Sequence, residues 1–214
     1  MPNIDHRQTR RDYTHGQLRR ADLAANPLDQ LATWLEDAQQ IDQTEPTAMI
    51  LATVGNDGQP SVRTLLLKHL DDDGPCWYTD SRSLKGQQLA VNPKASMLFY
   101  WPKLERQVRL DGPVRMLDPE LAEEYFASRP LGSRYAAATS QQSQPIESRS
   151  ELERRLEGVR ARYPEGNVPR PEAWIGYRLE PHLCQFWQGR ENRLHDRFEY
   201  TRDGSAWRIT RLMP

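Results

Sequence analysis

The 214-residue chain is long enough for one domain with a substantial core, and two domains are not required. Its 29 Lys and Arg nearly balance 30 Asp and Glu, so the formal net charge is −1. No overall electrostatic field therefore favours nucleic acid or an anionic membrane, and neither is expected as a partner. Hydrophobic residues make up 37% of the chain, although six Trp and eight Tyr argue against disorder. A core this lean often goes with a partner subunit.

The first twenty residues are polar and charged, which predicts a flexible N-terminal arm that orders only against something else and could act as a lid. Asn26 is a suitable N-cap and Pro27 a suitable first helical residue, so a helix is predicted over about 27–40. Residues 21–214 are then expected to form a single domain.

A β pattern begins at Ala48, and a hairpin is predicted from strands at 48–54 and 61–68 around the turn Asn56-Asp57-Gly58. Further strands are predicted at 76–79, 95–101, 107–110, 114–117, 174–179, 184–187 and 207–212. Further helices are predicted at 84–91, 118–128 and 147–163, with loops at 139–144 and 164–171. Short strands joined by tight turns, without βαβ alternation, indicate an α+β protein built on an antiparallel barrel with peripheral helices.

Cys76 and Cys184 lie far apart in apolar contexts without C-x-x-C spacing, as reduced packing thiols do, although a disulfide between them stays open. The N-terminus lacks the apolar segment of a signal peptide, and no run has the apolar length that a membrane span needs. We therefore expect a cytoplasmic protein.

Several common sites are missing from the sequence. It has no G-x-G-x-x-G, no G-x-x-x-x-G-K-[ST] and no G-x-S-x-G, so a dinucleotide-binding Rossmann turn, a P-loop and a hydrolase elbow lack support. Its five histidines include no H-E-x-x-H, and His182 with Cys184 has no second ligand pair. No metal site is expected.

Three potential cations stand at alternate positions near the C-terminus: Arg193, His195 and Arg197. In an extended backbone they share one face, where they repel one another unless an anion or an electron-rich group lies against them. Trp187 nearby offers a flat apolar surface for a ring. A solvated strand face is the alternative, but the aromatic neighbour and the titratable His195 favour a binding site.

Other cations occur in the first half of the chain. Arg63 and Lys68 have an odd separation, so on a regular strand they point to opposite faces and could serve two ligand groups, or else guard a sheet edge. Lys85 lies near the start of a predicted helix, where backbone N–H groups favour phosphate.

Tyr125, Arg129 and Ser133 follow one another at intervals of four. Tyr125 and Arg129 then share a helix face, and Ser133 lies just past Pro130. An arginine with hydroxyl donors suits a phosphate monoester, because the guanidinium supplies charge-assisted bonds and the hydroxyls satisfy the remaining oxygens. A helix end at which Arg129 acts on the dipole explains the pattern about equally well.

These motifs together resemble the pyridoxine/pyridoxamine 5'-phosphate oxidase family, in matching order from about Arg10 to Pro214. The motifs that carry the resemblance are Arg63 to Lys68, Leu104-Glu105-Arg106-Gln107-Val108, Tyr125-Phe126-Ala127-Ser128-Arg129-Pro130, Gln142-Ser143, Phe186-Trp187-Gln188-Gly189 and Arg193-Leu194-His195-Asp196-Arg197. The resemblance implies a split β-barrel homodimer with flavin mononucleotide (FMN) at the subunit interface, in which segment 174–214 contributes to dimerisation and to the active site.

The resemblance also implies roles for individual residues. The implied FMN contacts are Arg63, Thr64, Leu65, Leu66, Leu67, Lys68, Tyr78, Thr79, Lys85, Gln107, Gln142, Ser143, Trp187 and Arg197. The implied substrate contacts are Lys68, Tyr125, Arg129 and Ser133 at the phosphate, Arg193, Leu194 and His195 beside the substrate, and Arg10, Arg11, Asp12 and Tyr13 as an N-terminal flap. The family usually has Arg where this chain has Leu84, and Arg82 in the same loop could supply a substitute charge.

The implied reaction is oxidation of pyridoxamine 5'-phosphate or pyridoxine 5'-phosphate to pyridoxal 5'-phosphate, with transfer of a hydride to the flavin and with O2 as final acceptor. Arg193, His195 and Arg197 are the implied catalytic residues. Two alternatives are a flavin oxidase of the same fold with another substrate, such as a phenazine-biosynthesis enzyme, and a barrel that binds flavin or heme without catalysis. The presence of both Arg193 and His195 argues against the second.

Overall fold

A computed structural model describes residues 5–7, 12–41 and 44–214, and the secondary structure below refers to these residues. The helices are α1 Pro27–Gln40, α2 Leu84–Val91, α3 Pro119–Ser128, α4 Leu131–Thr139 and α5 Arg149–Arg162. The strands are β1 Ala48–Val54, β2 Pro60–Leu66, β3 His69–Asp71, β4 Gly74–Asp80, β5 Lys94–Trp101, β6 Arg106–Met116, β7 Trp174–Leu179, β8 Leu183–Gln188, β9 Asp196–Asp203 and β10 Ala206–Leu212. No helix within the described ranges is long and apolar enough to cross a lipid bilayer.

The chain divides into two compact units, each discontinuous in sequence. The first comprises Met1–Met49, Met97–Leu110 and His182–Pro214, and the second comprises Ile50–Ser96 and Asp111–Pro181. Strands β1, β5 and β6 each contribute residues to both units.

In the first unit, β8, β9 and β10 form an antiparallel meander, with Phe186 opposite Phe198 and Tyr200 opposite Ile209. The apolar face of α1 packs on this sheet through an edge contact between Trp34 and Phe186, whose ring centroids lie 5.2 Å apart. The helix begins as predicted, because the Asn26 side chain accepts a hydrogen bond from the backbone N–H of Leu28 at 3.0 Å. Both Phe186 and Phe198 are almost completely buried, so this layer is the core of the unit.

In the second unit, β4 pairs antiparallel with β3 on one side and with β7 on the other, and β7 also pairs with β6. Tyr78 on β4 lies opposite Gly176 on β7. Helices α3 and α4 pack on a second core made by Ala122, Phe126, Tyr135, Val168 and Trp174. Helix α5 has no buried residue and is covered by Arg–Glu pairs along its surface, as its charged sequence predicted.

The antiparallel pairings confirm the predicted α+β class, and most predicted elements are present with ends within a few residues. Several expectations were wrong. Residues 106–116 form one continuous strand rather than two strands around Asp111-Gly112-Pro113. Helix α3 ends at Ser128, so Tyr125 and Arg129 do not share a helix face, and Ser133 lies in α4, which was not predicted.

The strand geometry inferred for the C-terminal cations was also wrong. Strand β9 begins at Asp196, whereas Arg193 ends a 3-10 turn with φ of 63° and His195 precedes the strand. The three side chains therefore do not alternate on one extended face, and their proximity needs another explanation. Similarly, β2 ends at Leu66, so the argument from opposite strand faces does not apply to Lys68.

Candidate active site

A buried ammonium group marks the first cluster of candidate residues. Lys85 stands in the first turn of α2 and is only 6% exposed. Its Nζ donates to Thr79 Oγ1 at 3.1 Å, to Ser83 Oγ at 3.1 Å and to Gln142 Oε1 at 2.6 Å. Burial, followed by repulsion from Arg63, lowers the pKa of Lys85 to about 8. All three bonded atoms are neutral oxygens, so these bonds do not compensate the positive charge of the ammonium, and the nearby Asp80 carboxylate offsets it only in part.

Arg63 adds a second cation to this cluster. Its guanidinium donates to the carbonyl oxygen of Leu51 at 3.1 Å and to Thr53 Oγ1 at 2.6 Å, and more weakly to Gln88 Oε1 at 3.4 Å. Burial lowers the pKa of Arg63, but a guanidinium stays charged at any ordinary pH. The cluster therefore carries two positive charges among neutral hydrogen-bond acceptors, which is an environment suited to a phosphate group.

The helix that carries Lys85 is itself built for an anion. Ser83 caps α2 by accepting the backbone N–H of Gly86, and Gly86 is needed because a Cβ there would lie 2.2 Å from the carbonyl oxygen of Ser81. The first backbone N–H groups of α2 point out of the helix, where they favour negative charge.

Arg82 does not add to the charge of this cluster. Its guanidinium forms two hydrogen bonds with Asp80, from Nε to Oδ1 at 3.0 Å and from Nη2 to Oδ2 at 2.6 Å, and Nη2 also reaches the Ser140 carbonyl at 3.3 Å. Asp80 neutralises it. Leu84, at the helix start, is 49% exposed and offers no charge either.

Three aromatic rings in mutual contact form the second cluster. The centroid of the Tyr78 ring lies 4.4 Å from that of Tyr125 and 5.2 Å from that of Trp174, and the last two lie 5.9 Å apart, so the three rings pack as a triangle. The Arg129 guanidinium lies 4.9 Å from the centroid of the Trp174 ring. Among the described residues Arg129 Nη1 is buried with no hydrogen-bond partner, and burial lowers the pKa of this arginine. The structure thus brings together Tyr78, Tyr125 and Arg129.

Two other predicted phosphate contacts, Ser133 and Lys68, have no described side-chain contact with this cluster. Ser133 is half-buried in the first turn of α4. Lys68 is exposed between β2 and β3, and its backbone N–H donates to the Cys76 carbonyl at 2.9 Å.

The third cluster lies in the first unit around His195. Its ring contacts Trp187 and Tyr13 at centroid distances of 4.6 Å and 5.5 Å, and the Arg193 guanidinium lies 5.9 Å from the Tyr13 centroid. His195 Nδ1 accepts the backbone N–H of Arg190 at 3.1 Å, so in the neutral ring the proton lies on Nε2. Burial, then the charges of Arg193 and Arg197, lower the pKa of His195. A neutral imidazole with Nε2–H as donor follows at neutral pH.

Arg197 lies at the start of β9, opposite Trp187 on β8. Its guanidinium donates to Gln185 Oε1 at 3.0 Å and to the Met213 carbonyl at 3.0 Å, both neutral oxygens. The neighbouring Asp196 instead pairs with Arg211 at 2.7 Å and accepts the Leu18 backbone N–H at 3.1 Å.

The N-terminal segment contributes to the third cluster. Tyr13 is half-buried and makes an edge contact with Trp187 at 5.6 Å. A side chain on Gly189 would place its Cβ 2.8 Å from the Tyr13 side chain, so this position needs glycine. Asp12 is exposed, and the predictions for Arg10 and Arg11 fall outside the described residues.

For the remaining predicted contacts the structure gives a position and a degree of burial, but no described side-chain contact with any of the three clusters. Thr64, Ser143 and Leu194 are exposed, Leu65, Leu66 and Gln107 are half-buried, and Leu67 is buried. Ser143 has a φ of 72°, which a non-glycine residue seldom adopts.

Sequence reasoning missed several residues that shape these clusters. They are Thr53, Ser83 and Gln88 around the two buried cations, Gln185 at Arg197, Arg190 at His195, and Trp174 at Arg129. Only Ser83 carried a local signal, since a serine just before a predicted helix indicates an N-cap.

Among the described residues, one group of potential metal ligands lies in the second unit, where the His69 ring is 6.0 Å from that of Tyr78. His69, Asp71 and Cys76 have ligand atoms within 4.8 Å of one another. Arg178 Nε donates to Asp71 at 2.9 Å, and burial, together with the Asp71 charge, raises the pKa of Cys76 to about 12. The Asp71 carboxylate is already neutralised by Arg178, and the Cys76 thiol stays protonated. Packing, and not metal binding, therefore explains why these three side chains lie together.

The sequence matches two models of protein families. Residues 35–163 match the model described as "Pyridoxamine 5'-phosphate oxidase", and residues 174–214 match "Pyridoxine 5'-phosphate oxidase C-terminal dimerisation region". A protein of Thermosynechococcus vestitus named pyridoxine/pyridoxamine 5'-phosphate oxidase is 52% identical over 205 residues, which cover 96% of this chain and 97% of that protein. One of Hydrogenovibrio crunogenus, named pyridoxine/pyridoxamine 5'-phosphate oxidase 1, is 46% identical over the full length of both chains.

Solved structures agree with these matches. The crystal structure of PhzG from Burkholderia lata, in complex with tetrahydrophenazine-1-carboxylic acid, superposes with a TM-score of 0.86 at 33% identity, covering 91% of this chain and 95% of the other. A pyridoxamine 5'-phosphate oxidase-related, FMN binding protein from Nostoc punctiforme has a TM-score of 0.72 at 19% identity, covering 90% and 100%. The fold is therefore the predicted antiparallel split barrel.

Proposed function

Since the chain belongs to the pyridoxamine 5'-phosphate oxidase family and is an oxidoreductase, we propose that it converts pyridoxamine 5'-phosphate and pyridoxine 5'-phosphate to pyridoxal 5'-phosphate. The alcohol and O2 give the aldehyde and hydrogen peroxide, and the amine with O2 and water also releases ammonia. This activity serves the synthesis and salvage of vitamin B6. The main support from the geometry is the presence of buried cations whose bonded partners are neutral oxygens or rings, not carboxylates.

FMN is the proposed cofactor, and the residues around Lys85 fit its phosphate. Lys85 and Arg63 supply two positive charges, and Thr79 and Ser83 supply hydroxyl groups at the N-terminus of α2. Gln142 Oε1 now accepts from both Lys85 Nζ and Thr79 Oγ1, and these two donors could instead serve phosphate oxygens. When bound, the flavin accepts a hydride from the substrate carbon and passes the electrons to O2. The other implied contacts, among them residues 64–68, Tyr78, Gln107, Ser143 and Trp187, remain proposals from the family.

The phosphate of the substrate is proposed to bind at Arg129, with Tyr125, Ser133 and Lys68. The Arg129 guanidinium is charged, half-buried and without a carboxylate partner in the described chain, and the Tyr125 hydroxyl can add a neutral donor. A phosphate monoester carries about two negative charges at neutral pH and compensates the burial of this guanidinium.

Arg193 and His195 are proposed to lie beside the reacting part of the substrate. The neutral His195 can donate from Nε2 to a substrate oxygen, and Arg193 adds a charge-assisted donor. Arg197, whose bonded partners are neutral, adds positive charge that favours the anionic form of the reduced cofactor. Leu194, which is exposed between these residues, is proposed only as a contact.

The remaining proposals concern organisation. Residues 10–13 are proposed as a flap that covers the substrate, supported by the packing of Tyr13 against Trp187 and His195. A homodimer with FMN at the subunit interface is proposed from the match to a dimerisation region over 174–214 and from the lean core. A cytoplasmic location is supported by Cys76 and Cys184, which are buried and not joined in a disulfide.

The test is the visible spectrum of the purified protein under anaerobic conditions. Flavin absorption bands should be present and should bleach on addition of pyridoxamine 5'-phosphate, and admission of O2 should restore them with formation of hydrogen peroxide. Pyridoxamine without the phosphate, at the same concentration, is the control and should bleach the flavin far more slowly. Bound flavin that stays oxidised with both phosphorylated substrates would rule the proposal out.

A second candidate is a flavin oxidase that acts on a phenazine precursor. The likeness to PhzG, whose structure holds tetrahydrophenazine-1-carboxylic acid, supports it. Bleaching by a dihydrophenazine or tetrahydrophenazine carboxylate, with none by pyridoxamine 5'-phosphate, would establish this alternative. The Arg129 guanidinium, which has no carboxylate partner in the described chain, together with the Tyr125 hydroxyl favours a phosphorylated vitamin B6 substrate over such a carboxylate, because a phosphate carries more negative charge.

A further inference from the structure

Trp174 contacts the Arg129 guanidinium although the two residues lie 45 positions apart. Trp174 is the first residue of β7 and is 8% exposed, and the guanidinium carbon of Arg129 lies 4.9 Å from its ring centroid. A guanidinium this close to an indole ring is attracted by the negative face of the ring.

The position of the Trp174 ring is fixed from several sides. The Tyr78 ring stacks on it at 5.2 Å with an interplanar angle of 7°, and Phe126 meets its edge at 5.2 Å. Tyr78 can lie there because the residue opposite it is Gly176, where a Cβ would lie 2.7 Å from the Tyr78 ring. The ring is therefore a rigid surface.

The backbone of Trp174 is also held. Its N–H donates to the Pro171 carbonyl at 2.9 Å, and its carbonyl accepts from Arg170 Nη1 at 2.7 Å. Arg170 in turn pairs with Glu123 on α3 at 2.9 Å. The start of β7 is thus tied to the helix that ends immediately before Arg129.

Arg129, by contrast, makes no side-chain hydrogen bond or ion pair within the described chain. It follows the last residue of α3 in an extended conformation, and its backbone N–H donates to the Phe126 carbonyl at 3.2 Å. Across the described ranges its guanidinium has no carboxylate partner, and its side-chain contacts are the faces of Trp174 and Phe126, the latter at 5.8 Å. A long side chain held only in this way depends on the rings for its orientation.

We propose that Trp174 is a positioning residue, which holds the Arg129 guanidinium in the orientation that meets the phosphate of the substrate. The inference rests on the proposed function and deepens it. Trp174 contacts the guanidinium through its ring face, so the edge nitrogens stay available to phosphate oxygens. Orientation in advance reduces the entropy that binding must overcome, so the contact acts on affinity for the phosphate and not on the chemical step.

The test compares W174F and W174L with the wild type in steady-state oxidation of pyridoxamine 5'-phosphate. W174L should raise KM about 10-fold and W174F about 3-fold, in keeping with the weaker ring of Phe, with kcat changed less than about twofold. In an R129M background, W174L should raise KM no further, because the residue it positions is gone. W207L is the matched control, since it removes a Trp–Arg contact of 5.0 Å to Arg202 elsewhere, and its KM should stay at the wild-type value.

Binding of pyridoxal 5'-phosphate, followed by absorbance, measures the same contact without turnover. This measurement separates the proposed function from the proposed role of Trp174. If the wild type does not oxidise pyridoxamine 5'-phosphate, the proposed function is wrong. If wild type and W174L bind pyridoxal 5'-phosphate equally well, the role of Trp174 is wrong. The role of Trp174 would also be contradicted if W174L raised KM equally in the wild-type and R129M backgrounds, or if it lowered kcat and left KM unchanged. Should W174L fail to fold, W174F and R129M/W174F decide by the same criterion.

Discussion

Two arginine sites at opposite ends of β7 differ in what surrounds the charge. At Arg178, the guanidinium bonds to the carboxylate of Asp71, and these bonds lower the pKa of Asp71 although burial opposes ionisation. At the Trp174 end, Arg129 has aromatic faces beside it and, within the described chain, no carboxylate partner. A buried cation that a carboxylate already neutralises is structural, whereas one left among rings and neutral oxygens retains its charge for a ligand.

The same contrast recurs with the other cations. Lys85, Arg63 and Arg197 bond to neutral oxygens, whereas Arg82 and Arg211 pair with Asp80 and Asp196. Residue type alone does not separate the two groups, because arginines fall in both. The partner atoms separate them.

The largest expected effect comes from removal of Arg129. R129M should raise KM for pyridoxamine 5'-phosphate on the order of 100-fold, because about 3 kcal/mol of charge-assisted hydrogen bonding to the phosphate is lost. R178M is the matched control. It should lower the free energy of unfolding by about 1 to 3 kcal/mol, since it leaves Asp71 unpaired, and leave KM near the wild-type value. Steady-state kinetics and chemical denaturation measure the two effects, and a large KM change in R178M would remove the distinction.

Arg197 and Arg211 allow the same comparison in the other unit. R197L should slow anaerobic flavin reduction by pyridoxamine 5'-phosphate about 30-fold in a stopped-flow experiment, because the positive charge that we propose lies near the reduced cofactor is lost. R211L removes the arginine that pairs with Asp196 and should leave the reduction rate within about twofold. Equal rates in R197L and wild type would exclude the proposed role of Arg197.

The lowered pKa of Lys85 predicts a pH dependence of FMN binding. The ammonium form is required for the phosphate, and in the apoprotein it is lost as pH rises through about 8. Above that pH the dissociation constant should rise, by at most about tenfold per pH unit. Fluorescence titration of the apoprotein with FMN between pH 6.5 and 9.5 measures it. K85M should bind FMN weakly, with a dissociation constant that does not change over this pH range. If the dissociation constant of K85M rose with pH as steeply as that of the wild type, another group would be responsible for the titration.

The smallest expected effect concerns Leu84. Because Arg82 is paired with Asp80, the proposed cofactor site has only Lys85 and Arg63 as cations among the described residues, and L84R should supply a third at the exposed start of α2. The FMN dissociation constant should fall about threefold, as expected for a surface charge at a helix N-terminus. L84Q, which changes size and polarity without adding charge, should bind FMN like the wild type. If L84Q bound FMN as tightly as L84R, charge would not be the cause of the tighter binding.

Local patterns predicted much of the fold. The Asn26-Pro27 pair gave the start of α1, and alternating apolar residues gave most strands. The prediction failed at Asp111-Gly112-Pro113, a turn-like sequence inside β6. There the Pro113 carbonyl accepts the Glu180 N–H, and Gly112 permits a backbone approach that a Cβ would block at 2.0 Å. Tertiary pairing overrides the local preference.

The site was predictable in residue type but less so in geometry. The cations could be named, but their neutral partners come from distant segments, as Gln142 does for Lys85 and Trp174 does for Arg129. No periodicity encodes such a contact. Helix α4 was missed for a related reason: Leu131-Gly132-Ser133 reads as a loop, whereas the helix is held by packing and by the bond from the Tyr135 hydroxyl to the Tyr163 carbonyl.

The most direct test of the claim that cations with neutral partners are held for phosphate is a comparison of FMN with riboflavin, which lacks the phosphate. Dissociation constants for both should be measured on the apoprotein of the wild type and of K85M. The wild type should prefer FMN by about 100-fold or more, and K85M should lose at least about tenfold of that preference while it binds riboflavin as before. An unchanged preference in K85M, or an equal loss of affinity for both flavins, would contradict the claim.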